Sequence, residues 1–243
     1  MKRAIVIGAS SGIGREVAEL LISDGWYVGL AARREDKLNE VKNLKPGMAE
    51  VMPMDVTKPD AADRLLQLIK KMGGINLLFY ASGVGRQNPD LDLSTEMQTV
   101  NVNVAGFTRI VDTAFNYMAA NLGGDIAVIS SIAGTKGLGV APSYSATKAY
   151  QNTYIQALEQ LSNMRRLHIR FTDIRPGFVD TDLLSGGNYP MLMDKKRVAK
   201  DIVDSLYHHR HVRIIDWRYR LLVFFWRMIP SAVWRRLNVS NKK

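Results

Sequence analysis

Arg3-Ala4-Ile5-Val6-Ile7-Gly8-Ala9-Ser10-Ser11-Gly12-Ile13-Gly14 is the stretch that decides the fold of this chain. An apolar run ends in a glycine-rich turn, and helical periodicity begins at once over residues 12–23. That order describes a buried strand feeding a helix, the unit from which doubly wound sheets are built. Glycines let the backbone turn tightly and let a phosphate come close, while the helix N-terminus adds N–H donors and a favourable dipole. The spacing is G-x-x-x-G-x-G, not G-x-G-x-x-G, and three glycines alone also fit a plain turn before a helix.

The alternation continues along the chain. Further strands are expected at 27–31, 50–54, 77–80, 126–130 and 169–173, with a seventh at 212–215. Helical stretches fall between them at 34–43, 58–72, 103–121 and 142–163, and Gly73-Gly74 and Gly123-Gly124 mark helix exits. Strands that are apolar almost throughout belong to a parallel sheet covered on both faces. The expectation is one α/β domain over residues 1–215, a doubly wound parallel sheet of about seven strands with helices on both faces. A helical appendage, 216–243, follows it as part of the same domain.

Composition narrows the function. A chain of 243 residues with 47% hydrophobic and 23% charged residues is globular and of single-domain size. It has no cysteine, which excludes disulfides, thiol nucleophiles and Cys-ligated metal or iron–sulfur sites. The charged start, short apolar run and glycine at residues 1–8 read as a first strand rather than a signal-peptide core. A cytoplasmic location is expected. The net charge of +10 is concentrated at one end: residues 207–243 hold seven Arg and two Lys against one Asp. No recognised nucleic-acid-binding element accompanies that charge, so a nucleic-acid partner is not expected.

Tyr144-Ser145-Ala146-Thr147-Lys148 carries the chemistry. Residues i and i+4 share a helix face, so the phenol of Tyr144 and the ammonium of Lys148 point the same way. A fixed cation nearby favours phenolate and is expected to draw the tyrosine pKa down from about 10. Such a tyrosine exchanges a proton near neutral pH. Ser131 stands thirteen positions before Tyr144. The combination reads as a redox enzyme acting on a carbonyl or alcohol.

The glycine turn, the Tyr-x-x-x-Lys pair, the upstream serine and Pro176-Gly177-Phe178-Val179-Asp180-Thr181 occur together in one order. In this the chain resembles the short-chain dehydrogenase/reductase family in its compact single-domain form, from residue 1 to about 215. The resemblance implies a Rossmann-type fold and a catalytic set of Asn103, Ser131, Tyr144 and Lys148. Tyr144 would be the proton donor, Lys148 would lower its pKa and hold the nicotinamide ribose, and Ser131 would bond the substrate oxygen. Asn103 would anchor a proton-relay water. Ser130 and Asn101 are the neighbouring alternatives, disfavoured by their spacing to Tyr144, Gly134 and Gly106.

The resemblance also implies cofactor contacts at Gly8, Ser10, Ser11, Gly12, Ile13, Gly14, Asp55, Val56, Ala81, Gly83, Pro176, Gly177, Val179 and Thr181, with Tyr144 and Lys148. Two departures stand out: Ile7 precedes Gly8, where threonine is common, and Tyr80-Ala81-Ser82-Gly83 replaces Asn-Asn-Ala-Gly. At the end of the second strand an acid would bind a ribose 2′-hydroxyl and repel a 2′-phosphate. This chain has Ala32 there, then Arg33 and Arg34, with Ser10 in the glycine turn. Guanidinium matches phosphate geometry, so NADP(H) is favoured over NAD(H), with Arg33 as the reader. Arg33 and Arg34 also fit a solvated helix start. Asp173 and Arg175 read as a structural loop pair. The resemblance further implies a homo-oligomer, a dimer or tetramer.

The tail is basic and aromatic. Residues 217–229 are mostly apolar with Arg218, Arg220 and Arg227 among them; Pro230 ends the run, and Trp234, Arg235 and Arg236 follow. The run is too short to span a bilayer, which needs about 20 residues. It fits a membrane interface, a cover over the substrate pocket, or packing on its own core or a partner subunit. The membrane reading would put the enzyme peripherally at the inner membrane surface and suits an apolar or lipid-linked carbonyl substrate. His208, His209 and His211 read as a solvated helix end, and no metal site is expected. Between Thr181 and Lys195, Gly186-Gly187 and the apolar Leu183, Leu184, Met191, Leu192 and Met193 read as a mobile lid over an apolar ligand. The rival from another class is a cofactor-binding regulator or scaffold with vestigial redox activity.

Overall fold

The computed structural model describes residues 1–184 and 189–239. Seven parallel strands form one sheet in the order β3-β2-β1-β4-β5-β6-β7. They are β1 (Arg3–Ile7), β2 (Tyr27–Ala32), β3 (Ala49–Pro53), β4 (Leu77–Tyr80), β5 (Gly124–Ile129), β6 (Ile169–Arg175) and β7 (Val212–Ile214). The chain winds outward through β3, then crosses back to add β4 on the other side of β1. Between β1 and β4 lies the switch point at whose carboxyl end open α/β sheets bind ligands. Ile7 pairs with both Ala31 and Tyr80, so the loops beginning at Gly8, Arg33 and Ala81 leave the same edge.

Alternation along the strands builds a core on each face. Ala4 and Val6 face a layer containing Val17 and Leu21 of α1 (Gly12–Ser23), Leu38 of α2 (Glu35–Asn43) and Ile202 of α7 (Lys195–Tyr207). Ile5 and Ile7 face the opposite layer, with Leu65 and Leu68 of α3 (Ala61–Met72), Phe107 and Val111 of α5 (Phe107–Ala120) and Ile155 of α6 (Pro142–Met164). Tyr80, one of the two departures, points into this second layer and meets Phe107 edge-on at 5.3 Å. Burial pushes its phenol up. It packs the core under α5.

Four helices differ from the sequence expectation. The helix expected at 103–121 begins at α4 (Leu93–Val100), passes through a π-helical turn at Asn101–Gly106 and continues as α5. Asp92 starts it by accepting the Thr95 N–H at 2.8 Å. Only Thr99 of α4 is buried, which is why no apolar period announced it. α7, missing from the expected helices, is capped by Asp194 accepting from the Arg197 N–H at 2.9 Å. α2 and α3 start later than the expected 34 and 58, at Glu35 and Ala61.

The tail forms α8 (Trp217–Met228) and α9 (Ser231–Trp234). Tyr219 enters the same core layer as Val17 and Ile202. It accepts the Phe178 N–H at 3.1 Å and has the Pro190 carbonyl at 3.0 Å. Tyr219→Ala should therefore cost about 3–5 kcal/mol in urea denaturation. A loss under about 0.5 kcal/mol, the size of a surface substitution, would mean the tail is not docked this way.

Candidate active site

The glycine turn is held by close packing. Gly8 has φ +92°, and a Cβ there would lie 2.8 Å from the Ser82 nitrogen; one on Gly14 would lie 2.3 Å from the Gly8 carbonyl oxygen. Only a chain without those side chains lets β1, the start of α1 and the Ala81-Ser82 segment meet. Ser11 caps α1 without a side-chain hydrogen bond, which leaves first-turn amides beside Ile13 for a ligand. Thr181 lies over this turn: a Cβ on Gly12 would meet its Cγ2 at 3.4 Å. Val179 is buried and bridges to Met193.

Arg33 and Arg34 are exposed at the end of β2. Arg34 Nη2 donates to the Ser10 hydroxyl at 3.2 Å. Asp55 is pushed up by partial burial but held below its ordinary value by hydrogen bonds from Thr57 and by the charges of Arg33 and Lys58. Val56 packs into the core, and its carbonyl accepts from Arg109 at 2.8 Å.

Asn103 sits fully buried in the π-helical turn, whereas Asn101 is exposed. π-turns inserted in α-helices recur at functional sites because they re-aim one residue. Here Asn103 clamps the loop after β4, accepting from the Val84 N–H at 2.9 Å and donating to the Val84 carbonyl at 2.7 Å. A second donation reaches Thr147 Oγ1 at 3.1 Å. The clamp brings Gly83 between the Asn103 side chain and Lys148 Nζ, and lays Gly85 on the Tyr144 ring, 2.6 Å from where its Cβ would be.

On α6, Lys148 is buried and donates to the Ile129 carbonyl and to Gln151 Oε1, each at 3.0 Å. Gln151 is also buried and donates to the Asn103 carbonyl at 2.9 Å. The Gln151 amide thus links the Asn103 carbonyl to Lys148. Ser131 accepts from the Ala133 N–H at 3.0 Å and lies close to the Pro176 carbonyl, 3.4 Å away. Ser130 is turned inward to Asp173, which Arg175 pairs at 2.6 Å.

The electrostatics correct one expectation. Burial pushes the Tyr144 phenol above its ordinary value, and a hydrogen bond with Ser131 draws it part of the way back. Lys148 lies 5.8 Å from the Tyr144 ring centre and does not bring the phenol down, because its ammonium is turned to Ile129 and Gln151. Lys148 itself is pushed down by burial from 10.5 to about 8, with Asp173 opposing. In the unfolded chain a lysine keeps its proton to about 10.4. Between these values the unfolded state binds more protons, so stability rises with pH from about 8 upward, by at most ~1.4 kcal/mol per unit. Urea midpoints of wild type against Lys148→Met should diverge in favour of wild type across that window. A pH-independent difference would place the lysine in an ordinary environment.

Gly186 and Gly187 lie outside the described residues. Leu183 and Leu192 are exposed, while Met193 is buried beside Val179. The histidines meet different acids: His208 faces Asp204 at 3.2 Å and His209 faces Asp125 at 3.4 Å. Gln151, Thr147, Gly85 and the Arg34 contact escaped the sequence reading. Gln151 follows Lys148 by three residues on the same helix face, which was its one signal.

A doubly wound parallel sheet whose switch-point edge gathers a glycine turn, a serine, and a tyrosine–lysine pair defines a Rossmann-type oxidoreductase. The model of the short chain dehydrogenase family matches residues 2–188. The chain belongs to the short-chain dehydrogenase/reductase family. It is 31% identical over 219 residues to an uncharacterized oxidoreductase of Staphylococcus aureus, covering 88% of this chain and 94% of that one. A Staphylococcus epidermidis oxidoreductase, also uncharacterized, is 29% identical over 218 residues, with the same coverage. Among solved structures, a short-chain type dehydrogenase/reductase from Mycobacterium marinum superposes with TM-score 0.77 at 25% identity, covering 88% of this chain and 94% of that one. One from Mycobacterium ulcerans shares the fold at TM-score 0.77 and 24% identity, over 88% of each chain. The family implies a nicotinamide cofactor.

Proposed function

We propose that this oxidoreductase reduces an apolar, ketone-type carbonyl with NADPH, Tyr144 acting as general acid. The carrying observation is the Tyr144 ring, half-buried against Gly85 and held on one helix with Lys148 and Gln151, with Ser131 near enough to draw its phenol down. The side-chain-free cradle at Gly8, Gly12 and Gly14 and the uncapped start of α1 fit a dinucleotide pyrophosphate. Ala32 with Arg33, Arg34 and Ser10 fits a 2′-phosphate better than a bare ribose. Asp55 and Val56 would flank the adenine. Ala81, Gly83, Pro176, Gly177, Val179 and Thr181 would line the nicotinamide end.

When bound, the cofactor supplies the hydride. The chain's own share is orientation and proton delivery. Ser131 holds the substrate oxygen beside the Tyr144 hydroxyl. Tyr144 keeps its proton at neutral pH because burial raises it, which suits donation to a developing alkoxide, the reducing direction. Lys148 still carries charge at pH 7 and steadies that alkoxide electrostatically. Asn103 and Gln151 fix the lysine from behind.

The exposed Leu183 and Leu192, on the loop that follows Thr181, support an apolar substrate, and the family resemblance supports a homo-oligomer. NADPH consumption with methyl ketones of increasing chain length tests the reading. Turnover should rise with chain length. Activity confined to small polar carbonyls would contradict the apolar substrate, and none with any ketone would favour a cofactor-binding regulator.

A further inference from the structure

α8 carries two apolar faces, and only one is used. Turning about 100° per residue, Tyr219, Val223 and Trp226 fall on the side toward the core, where Tyr219 and Val223 are buried. Phe224, Trp217, Met228, Leu221 and Phe225 fall within an arc of about 100° on the opposite side. These five are 49–65% exposed. Arg220 and Arg227 are exposed along the flank between the two faces, and Arg235 and Arg236 are exposed just beyond α9.

We infer that this outer face of α8 docks on an anionic lipid surface. Charge selects the occupant. Asp216 is the one carboxylate in residues 205–243, and Arg218 already holds it through two hydrogen bonds, at 3.0 and 2.8 Å. A second copy seated face to face would bring Arg220 and Arg227 against their own kind. A surface of lipid phosphates meets them with opposite charge while the rings and Met228 enter the acyl boundary. Among the described residues no helix is long and apolar enough to cross a membrane, so this face lies on the bilayer.

The docking face is tied to the candidate active site. The Lys136 ammonium donates to the Ile229 carbonyl at 2.9 Å, and Trp234 Nε1 donates to the Gly137 carbonyl at 2.7 Å. Both fasten α8 and α9 to the segment that follows Ser131. On the other side Tyr219 holds Phe178 and Pro190. Docking would set the loops around Ser131 and Thr181 near the lipid surface; that this admits an apolar carbonyl from the bilayer rests on the function proposed above.

The test is co-sedimentation of the full chain with vesicles of phosphatidylcholine alone and of phosphatidylcholine with phosphatidylglycerol. Binding should require the anionic lipid and weaken with salt. Arg220→Gln with Arg227→Gln should lower the partition about 30-fold, and Phe224→Ser with Phe225→Ser should lower it at least as much. These four side chains are exposed, so circular dichroism and NADPH binding of the variants should match wild type. No partition into either vesicle would overturn the inference. So would a dimer in sedimentation velocity that the Phe224/Phe225 variant abolishes, since that seats a second copy on the face. Vesicle binding without ketone turnover would leave the docking intact and refute only the proposed reaction.

Discussion

Tyr144→Phe is expected to lower kcat by about 10²–10⁴-fold, the range that a positioned general acid contributes. NADPH affinity should be almost unchanged. The substitution removes one oxygen and keeps the ring that packs on Gly85, so the fold and the loop after β4 stay in place. Two phenols on the same helix are controls. Tyr150 bonds with Thr108 at 2.8 Å and Tyr154 donates to Asp112 at 2.6 Å, both away from Ser131. Their Phe variants should turn over normally. If Tyr144→Phe instead weakened NADPH binding and left kcat intact, the phenol would belong to cofactor binding and the acid would have to be sought elsewhere.

Arg33→Asp is expected to weaken NADPH by about 10–150-fold, the worth of a charge-assisted hydrogen bond of ~1.5–3 kcal/mol. NADH should change only a few-fold. An acid at this place would repel a 2′-phosphate while offering an acceptor to a 2′-hydroxyl, so the two cofactors should move apart. Arg34→Ala, which frees the Ser10 hydroxyl, should show the same selectivity on a smaller scale. Isothermal titration with both cofactors reads the result. Equal losses for NADPH and NADH would remove the phosphate from this corner of the site.

Much of the fold was legible because strand and helix periods alternate cleanly and glycines sit at the turns. The strand expected at 4–7 and the helix expected at 12–23 appear as β1 and α1, the strand one residue longer at its start. What stayed hidden lacked a local signal. α4 exposes most of its side chains, so no apolar period announced it, and the π-turn at Asn101–Gly106 leaves no mark in composition. Spacing favoured Asn103 over Asn101, and the structure buries the first and exposes the second. Gln151 looked like an ordinary polar helix residue; its burial between Lys148 and the Asn103 carbonyl needs three elements in place at once. The same holds for Gly85, whose missing side chain matters only because Tyr144 arrives from a distant helix. The expected effect of Lys148 on Tyr144 failed for a related reason: helix spacing sets which side a residue faces, while burial and hydrogen bonds set where its charge acts.

The tail shows the limit from the other direction. A helix apolar on nearly every side does not say which side packs. Tyr219 and Trp234 turn inward, and Phe224, Phe225 and Met228 turn outward. That division separates a face that joins the core from one left exposed.

The proposed reaction is hydride transfer from NADPH to a carbonyl carbon with the proton supplied by Tyr144. Its most direct test is a single-turnover reaction of excess enzyme with 4-deuterated NADPH and a long-chain methyl ketone, the product alcohol read by mass spectrometry. One deuterium on the carbinol carbon in wild type, and its near absence in Tyr144→Phe over the same interval, is the predicted result. Tight NADPH binding with no deuterium transferred by wild type would contradict it and leave a chain that binds the cofactor without using it.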